Sequence, residues 1–152
     1  MSIISEFMNK EHAQLDDLWL NFLELCEDLE AFTRTSELFD KYKTMLLVHM
    51  KLEDEYLFPR VSQHLGFEDD APLIARARDD HKVLLKLLAL TEEAFLKQDI
   101  ERILLVGNNF KQASIKHHER ESEIQYPVSD KFISEDEWLE ILVSVCDQPK
   151  DL

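Results

Sequence analysis

A chain of 152 residues with 45 % hydrophobic content is large enough to bury a real core, which excludes global disorder. Only two Gly and four Pro interrupt it, and Leu, Glu, Lys, Ala and Asp dominate without β-branched alternation, so the composition points to an all-α protein. The net charge of −15 repels nucleic acid and anionic membranes, so neither is an expected partner.

Four segments carry apolar residues at steps of three and four, the pattern of a helix with one buried stripe. The first runs Met8, His12, Leu15, Trp19, Phe22, Cys26, Leu29. N-cap residues at Thr33 to Ser36 precede the second, which runs Leu38, Tyr42, Met45, His49, Leu52, Tyr56. Pro59 is expected to kink or interrupt this helix. His64-Leu65-Gly66 reads as its end, and Asp69-Asp70-Ala71-Pro72 as the start of the third, with Pro in the first turn. The third stripe is Ile74, Ala77, His81, Leu84, Leu88, Thr91, Phe95. Gln98-Asp99 caps the fourth, whose stripe is Ile103, Val106, Phe110, Ala113, His117, Glu121, Ile124. Gly107 in this helix permits a close helix contact or simply weakens the helix.

Short connections between long helices predict an antiparallel up-down-up-down four-helix bundle over about residues 2–128. Ser134 and Glu137 form a capping box before a short fifth helix at about 134–146, which packs on the bundle or docks a partner. The whole chain, 1–152, is expected to be one domain. Cys26 and Cys146 stand in no CxxC frame, so no disulfide scaffold is expected. The start MSIISEFMNKEH lacks the basic region and apolar run of a signal peptide, and no apolar stretch reaches membrane-spanning length. A reducing cytoplasm is the expected location.

Each stripe holds one histidine where a large apolar residue is expected. In antiparallel neighbours, residues equidistant from the turn lie at one height. The midpoints are 30.5 for His12 and His49, 65 for His49 and His81, and 99 for His81 and His117. All three fall at or close to the breaks; the first is off by roughly 3–5 Å at 1.5 Å per residue. The four imidazoles therefore share one layer. Glu53 and Glu121 follow His49 and His117 by four residues, which stacks them on the same helix face. Buried carboxylates need a partner or a cation. Four imidazoles and two carboxylates are too many for one structural zinc and suit two transition metals bridged by the carboxylates. A metal-free His–Glu hydrogen-bond network is the alternative. His118 points about 100° away from His117 and is expected to be solvated or to back the layer; His64 sits at a helix end, where the dipole favours a cation.

The frame HxxxExxxxxP occurs twice, as HMKLEDEYLFP from His49 and HHERESEIQYP from His117. Together with His12 and His81, these residues resemble the hemerythrin-like family in its HHE cation-binding form, over about residues 8–127. The offsets show a duplicated hairpin: 69 residues from His12 to His81, and 68 from His49 to His117 and from Glu53 to Glu121. The resemblance implies a non-haem centre of two iron ions, with zinc or manganese as substitutes. His12 and His49 would serve one ion and His81 and His117 the other. Glu53 and Glu121 would bridge them together with an oxo or hydroxo group.

Oxygen-carrying hemerythrins have a fifth histidine one turn before the third-helix ligand and a carboxylate five residues after the fourth-helix ligand. Here those positions are Ala77 and Ser122. The site thus looks more like those of iron-sulfur-cluster repair proteins and hemerythrin-like iron sensors. Glu55, Tyr56 and Glu123 are near enough in sequence to supply a seventh ligand. The resemblance implies a small ligand such as O2, NO or peroxide, bound for storage, sensing or stress protection. Alternatives are a di-iron enzyme with peroxidase or NO-reducing activity, or an iron-responsive interaction module signalling through metal-dependent folding or the fifth helix; a homo-oligomer or a protein partner on the C-terminal helix is the further partner expectation.

Overall fold

The structure, a computed structural model, describes residues 2–146 apart from the Leu29 side chain. The ends of the expected 1–152 unit and the last residue of the first stripe thus lie outside the described residues. Every regular element among the described residues is helical. The elements are α1 (Ile3–Leu25), a 3-10 turn (Leu29–Ala31), α2 (Phe32–Lys51), α3 (Phe58–His64), α4 (Pro72–Leu96), α5 (Ile100–Arg120), α6 (Tyr126–Phe132) and α7 (Glu135–Cys146). Single π-helical stretches, Leu52–Leu57 and Glu121–Gln125, join α2 to α3 and α5 to α6, so that α1, α2–α3, α4 and α5–α6 make four rods.

Pairings across the rods show that neighbours are antiparallel. Climbing α1 from Glu11 to Phe22 means descending α2, from the His49 contact to the Phe39 contact. The same holds for α4 against α2–α3, where His81 meets Asp54 and Glu92 meets Lys43. The expected bundle is therefore the observed one.

The connections mostly follow the capping signals. Asp99 accepts from the Arg102 N–H at the start of α5. Pro72 opens α4, and Gly66, at φ 88°, lies just past the end of α3. Ser134 accepts from the Glu137 N–H before α7. The entry to the second rod differs from expectation. Asp28 caps the 3-10 turn by accepting from the Glu30 N–H, and α2 begins at Phe32. Thr35 lies inside the helix, where its hydroxyl bonds the Ala31 carbonyl at 2.7 Å. A buried Thr satisfied four residues back has no capping role. The start of α1 lacks a local side-chain cap; Asp130 of α6 accepts from the Ile4 and Ser5 amides instead. An acid at a helix N-terminus also complements the dipole.

Two apolar clusters fill the interior. One holds Leu15, Trp19, Phe22, Phe39, Tyr42, Leu84, Leu88, Phe95 and Phe110. The other holds Ile4, Met8, Leu52, Leu57, Phe58, Val61, Ile74, Tyr126, Trp138 and Ile141. Burying one such side chain contributes about 1.5–3 kcal/mol. Trp19 donates to the Gly107 carbonyl at 3.0 Å, and a Cβ on Gly107 would sit 2.6 Å from Leu23 Cδ2, so this glycine serves close packing of α1 on α5. α7 closes the bundle end, burying Trp138 and Ile141 while Arg60 pairs with Glu137 at 2.7 Å. Leu139 and Val143 remain exposed on its outer face.

Candidate metal centre

The histidine layer lies between the two clusters. His12 is flanked on α1 by Met8 of one and Leu15 of the other, and His81 on α4 by Ala77 and Leu84. His12, His49, Glu53, His81, His117 and Glu121 are all buried. The structure brings all six together. His12, His49, Glu53 and Glu121 offer donor atoms within 4.8 Å of one another, and so do Glu53, His81, His117 and Glu121. Both carboxylates belong to both groups. Glu53 Oε1 lies 3.6 Å from His49 Nε2 and 3.2 Å from His81 Nε2; Glu121 Oε1 lies 3.4 Å from His12 Nε2 and 3.1 Å from His117 Nε2.

The π stretches explain this end of the site. Pro59 and Pro127 lack an N–H, and their rings crowd the carbonyl four residues back. Each rod absorbs this by inserting one extra residue per turn just before the proline, a feature common at functional sites. Pro59 thus interrupts the second α-helix, as expected, and does so through a π stretch rather than a break in the rod. The insertion also slips the helical phase. Ile124, expected on the buried stripe, is 47 % exposed, and Tyr56 is only half-buried. Gln125 and Tyr126 turn inward in their place, as do Leu57 and Phe58 in the first copy of the frame.

Tyr126 is the residue that stepping along the sequence missed. Its hydroxyl lies 2.7 Å from His12 Nε2, 2.9 Å from Glu53 Oε2 and 3.2 Å from Glu121 Oε1. It stands five residues after Glu121, a spacing that faces away in an α-helix and inward only across a π turn. Glu55, Tyr56 and Glu123, though close in sequence, lie away from the layer. Glu55 and Glu123 are exposed, and Tyr56 packs against the Ile4–Trp138 cluster. Phe58 takes the Tyr126 position in the first copy and stacks on His81, with centroids 5.6 Å apart.

A ring of carboxylates orients the imidazoles. Nδ1 of His49, His81 and His117 donates to Glu11 at 2.9 Å, Asp54 at 2.9 Å and Asp80 at 3.0 Å. Such partners fix the ring and the tautomer so that Nε2 faces inward. Arg120 and Arg78 in turn hold Asp80 and Asp54. His118 is buried rather than solvated: it stacks on His12, with centroids 3.7 Å apart and planes 11° off parallel, and its Nδ1 lies 3.5 Å from Asp16. His64 is exposed at the end of α3, stacked on Phe132, outside the layer.

The charges are strongly coupled. Burial opposes a positive His81, yet Asp54 and Glu53 outweigh it and raise the pKa from 6.5 to about 10. Burial likewise opposes charge on His49 and His117, but the surrounding carboxylates raise both. Burial, with His118 and His49 close by, lowers His12 to about 2. Burial disfavours ionised Glu121, but contacts to Glu53, His117 and His49 hold it below the usual carboxylate range. Burial and the two carboxylates push Tyr126 well above its ordinary value, so it is a phenol.

The donor set fits a metal. His81 Nε2, His117 Nε2, Glu53 Oε1 and Glu121 Oε2 are buried without a hydrogen-bond partner. Unpartnered buried polar atoms are costly, and a cation that takes the place of the imidazole protons among these four atoms removes that cost.

Among the described residues no helix is long and apolar enough to cross a membrane. No curated protein and no solved structure matches the chain. The family model of the hemerythrin HHE cation binding domain matches residues 3–102, about two thirds of the chain, including His12, His49, Glu53 and His81. His117 and Glu121 lie past that match, and the fold brings them to the same layer. The chain belongs to the hemerythrin HHE cation-binding family.

Proposed function

We propose that the chain is a single-domain, cytoplasmic di-iron protein that binds or reacts with O2, NO or peroxide. Its ligands would be His12 and His49 at one position, His81 and His117 at the other, with Glu53 and Glu121 bridging. The observation that carries this reading is the pair of four-donor groups sharing both carboxylates. One ion would leave two imidazoles without a role; two ions use all six residues. Mixed imidazole and carboxylate donors suit iron, and they also accept zinc or manganese. Two bound iron ions would supply redox electrons and open coordination positions for a small oxygen or nitrogen ligand.

The protein's own residues do the rest. Phe58 stacks on His81, and all six side chains of the layer are buried between the two apolar clusters, which keeps bulk water out. Glu11, Asp54 and Asp80 keep three imidazoles oriented. The Tyr126 O–H carries a proton into the layer, at hydrogen-bond distance from Glu53 and Glu121. That proton source supports a second reading, in which the chain turns over peroxide or NO instead of holding it.

Anaerobic iron loading followed by optical titration with O2 and NO tests the proposal. Two iron ions per chain and visible charge-transfer bands on exposure are expected. A featureless spectrum with iron bound would defeat it. Turnover far beyond the iron stoichiometry selects the enzymatic reading.

A further inference from the structure

The duplicated hairpin allows each half of the site to be compared with the other, residue by residue, at an offset of 68 or 69. Glu11 corresponds to Asp80, and each holds the imidazole of the following rod: His49 and His117. Asp54, next to Glu53, holds His81, and Arg78 braces that carboxylate. The corresponding pair in the other half is Ser122, next to Glu121, and Asn9. These two hydrogen-bond each other, and among the described residues no carboxylate is paired with His12 Nδ1. The carboxylate ring thus has three members for four imidazoles, and the gap is at His12.

Two further differences fall on the same half. Tyr126 stands where the other half has Phe58, and its hydroxyl engages His12 Nε2 at 2.7 Å. His12 and His49 Nε2 also lie 3.1 Å from each other. The four donor atoms without any hydrogen-bond partner include His81 and His117 Nε2 but neither His12 nor His49 Nε2. A metal entering between His81 and His117 breaks no contact to Tyr126; at the two nitrogens it displaces only the ion pairs to Glu53 at 3.2 Å and Glu121 at 3.1 Å, both of them carboxylates that would hold the metal. One entering between His12 and His49 must break the Tyr126 contact and hold an imidazole that no carboxylate orients.

We infer that the two metal positions are unequal: the His81–His117 position is tight and fills first, while the His12–His49 position is weak and exchangeable, because Ser122 and Asn9 replace a carboxylate and its arginine. The inference rests on the di-metal reading above. Losing a carboxylate partner from a ligand histidine typically costs 10–100-fold in metal affinity, so the two steps should differ by about tenfold or more.

The test is Co(II) titration of the metal-free full chain against a competing chelator, followed optically, with circular dichroism as a check on folding. The wild type should bind in two steps. His12→Ala should keep the tight step, and His81→Ala should lose it. Asp54→Asn, a gentler change, should weaken the tight step about tenfold or more. Asn9→Arg with Ser122→Asp should tighten only the weak step. Equal wild-type steps, a tight step surviving in His81→Ala but not in His12→Ala, or a weak step unmoved by the Asn9/Ser122 double variant would overturn the inference and leave the di-metal reading intact. Uptake of no Co(II), or of a single ion, would overturn the di-metal reading itself.

Discussion

Replacing Tyr126 by Phe removes one oxygen and leaves the ring, which is fully buried beside His12. In the metal-free protein that hydroxyl donates toward Glu53 at 2.9 Å and Glu121 at 3.2 Å, and lies 2.7 Å from His12 Nε2. A phenol has one proton, so a single charge-assisted hydrogen bond is lost, worth about 1.5–3 kcal/mol. Leaving a buried carboxylate oxygen unpaired keeps the loss at the upper end of that range. For a chain of this size about 2 kcal/mol lowers Tm by roughly 4–8 °C. In the metal-loaded protein the carboxylates have cations as partners, so the same substitution should cost well under half as much. Thermal and urea unfolding of both proteins, with and without bound metal, measures the difference. If Tyr126→Phe costs nothing in the metal-free state, or costs the same in both states, then Tyr126 is not the group that satisfies the carboxylates and the reasoning fails.

Four other outcomes follow from the same geometry. His49→Ala should lower metal content at one position, and unchanged stoichiometry and spectrum would remove His49 from the ligand set. Metal loading at neutral pH should release protons, the His81 proton first among them, since its pKa is raised to about 10, those of His49 and His117 are raised too, and a metal needs all three imidazoles neutral. The stabilisation that His81 lends the metal-free fold is complete below 6.5 and lost as pH rises through about 10, so alkaline pH should weaken the metal-free protein more than the loaded one. Titration in weakly buffered dye counts the protons. Finally, Ile124→Glu should change stability by less than about 0.5 kcal/mol, whereas Leu57→Ala should cost about 2–5 kcal/mol. Equal costs would contradict the phase slip at the π turns.

Periodicity made the rods legible because most of each stripe obeys one helical phase. Every described residue on the first and third stripes is buried. The layer was legible for a second reason: four histidines at matched distances from three turns need no side-chain detail. Legibility ended where the phase broke. A π turn adds a residue that no three-four rule counts, so Ile124 looked internal and Tyr126 did not. The frame itself held the clue, since both copies place an aromatic directly before Pro, Phe58 and Tyr126, five residues after Glu. The entry to α2 misled for a different reason. Thr33 to Ser36 resemble caps, but Asp28 and a 3-10 turn start the helix earlier, and Thr35 is buried by the packing of α2. His118 followed the expected angle away from His117, yet the neighbouring rod α1 lies on that side and covers it with His12 and Asp16.

The proposed centre holds two metal ions side by side among six buried side chains. Anomalous diffraction from a crystal of the metal-loaded protein tests it directly. Two peaks roughly 3.5–4 Å apart are expected, one between His12 and His49 and one between His81 and His117, with Glu53 and Glu121 spanning both. A single peak in the layer, or peaks only at surface carboxylates, would contradict it.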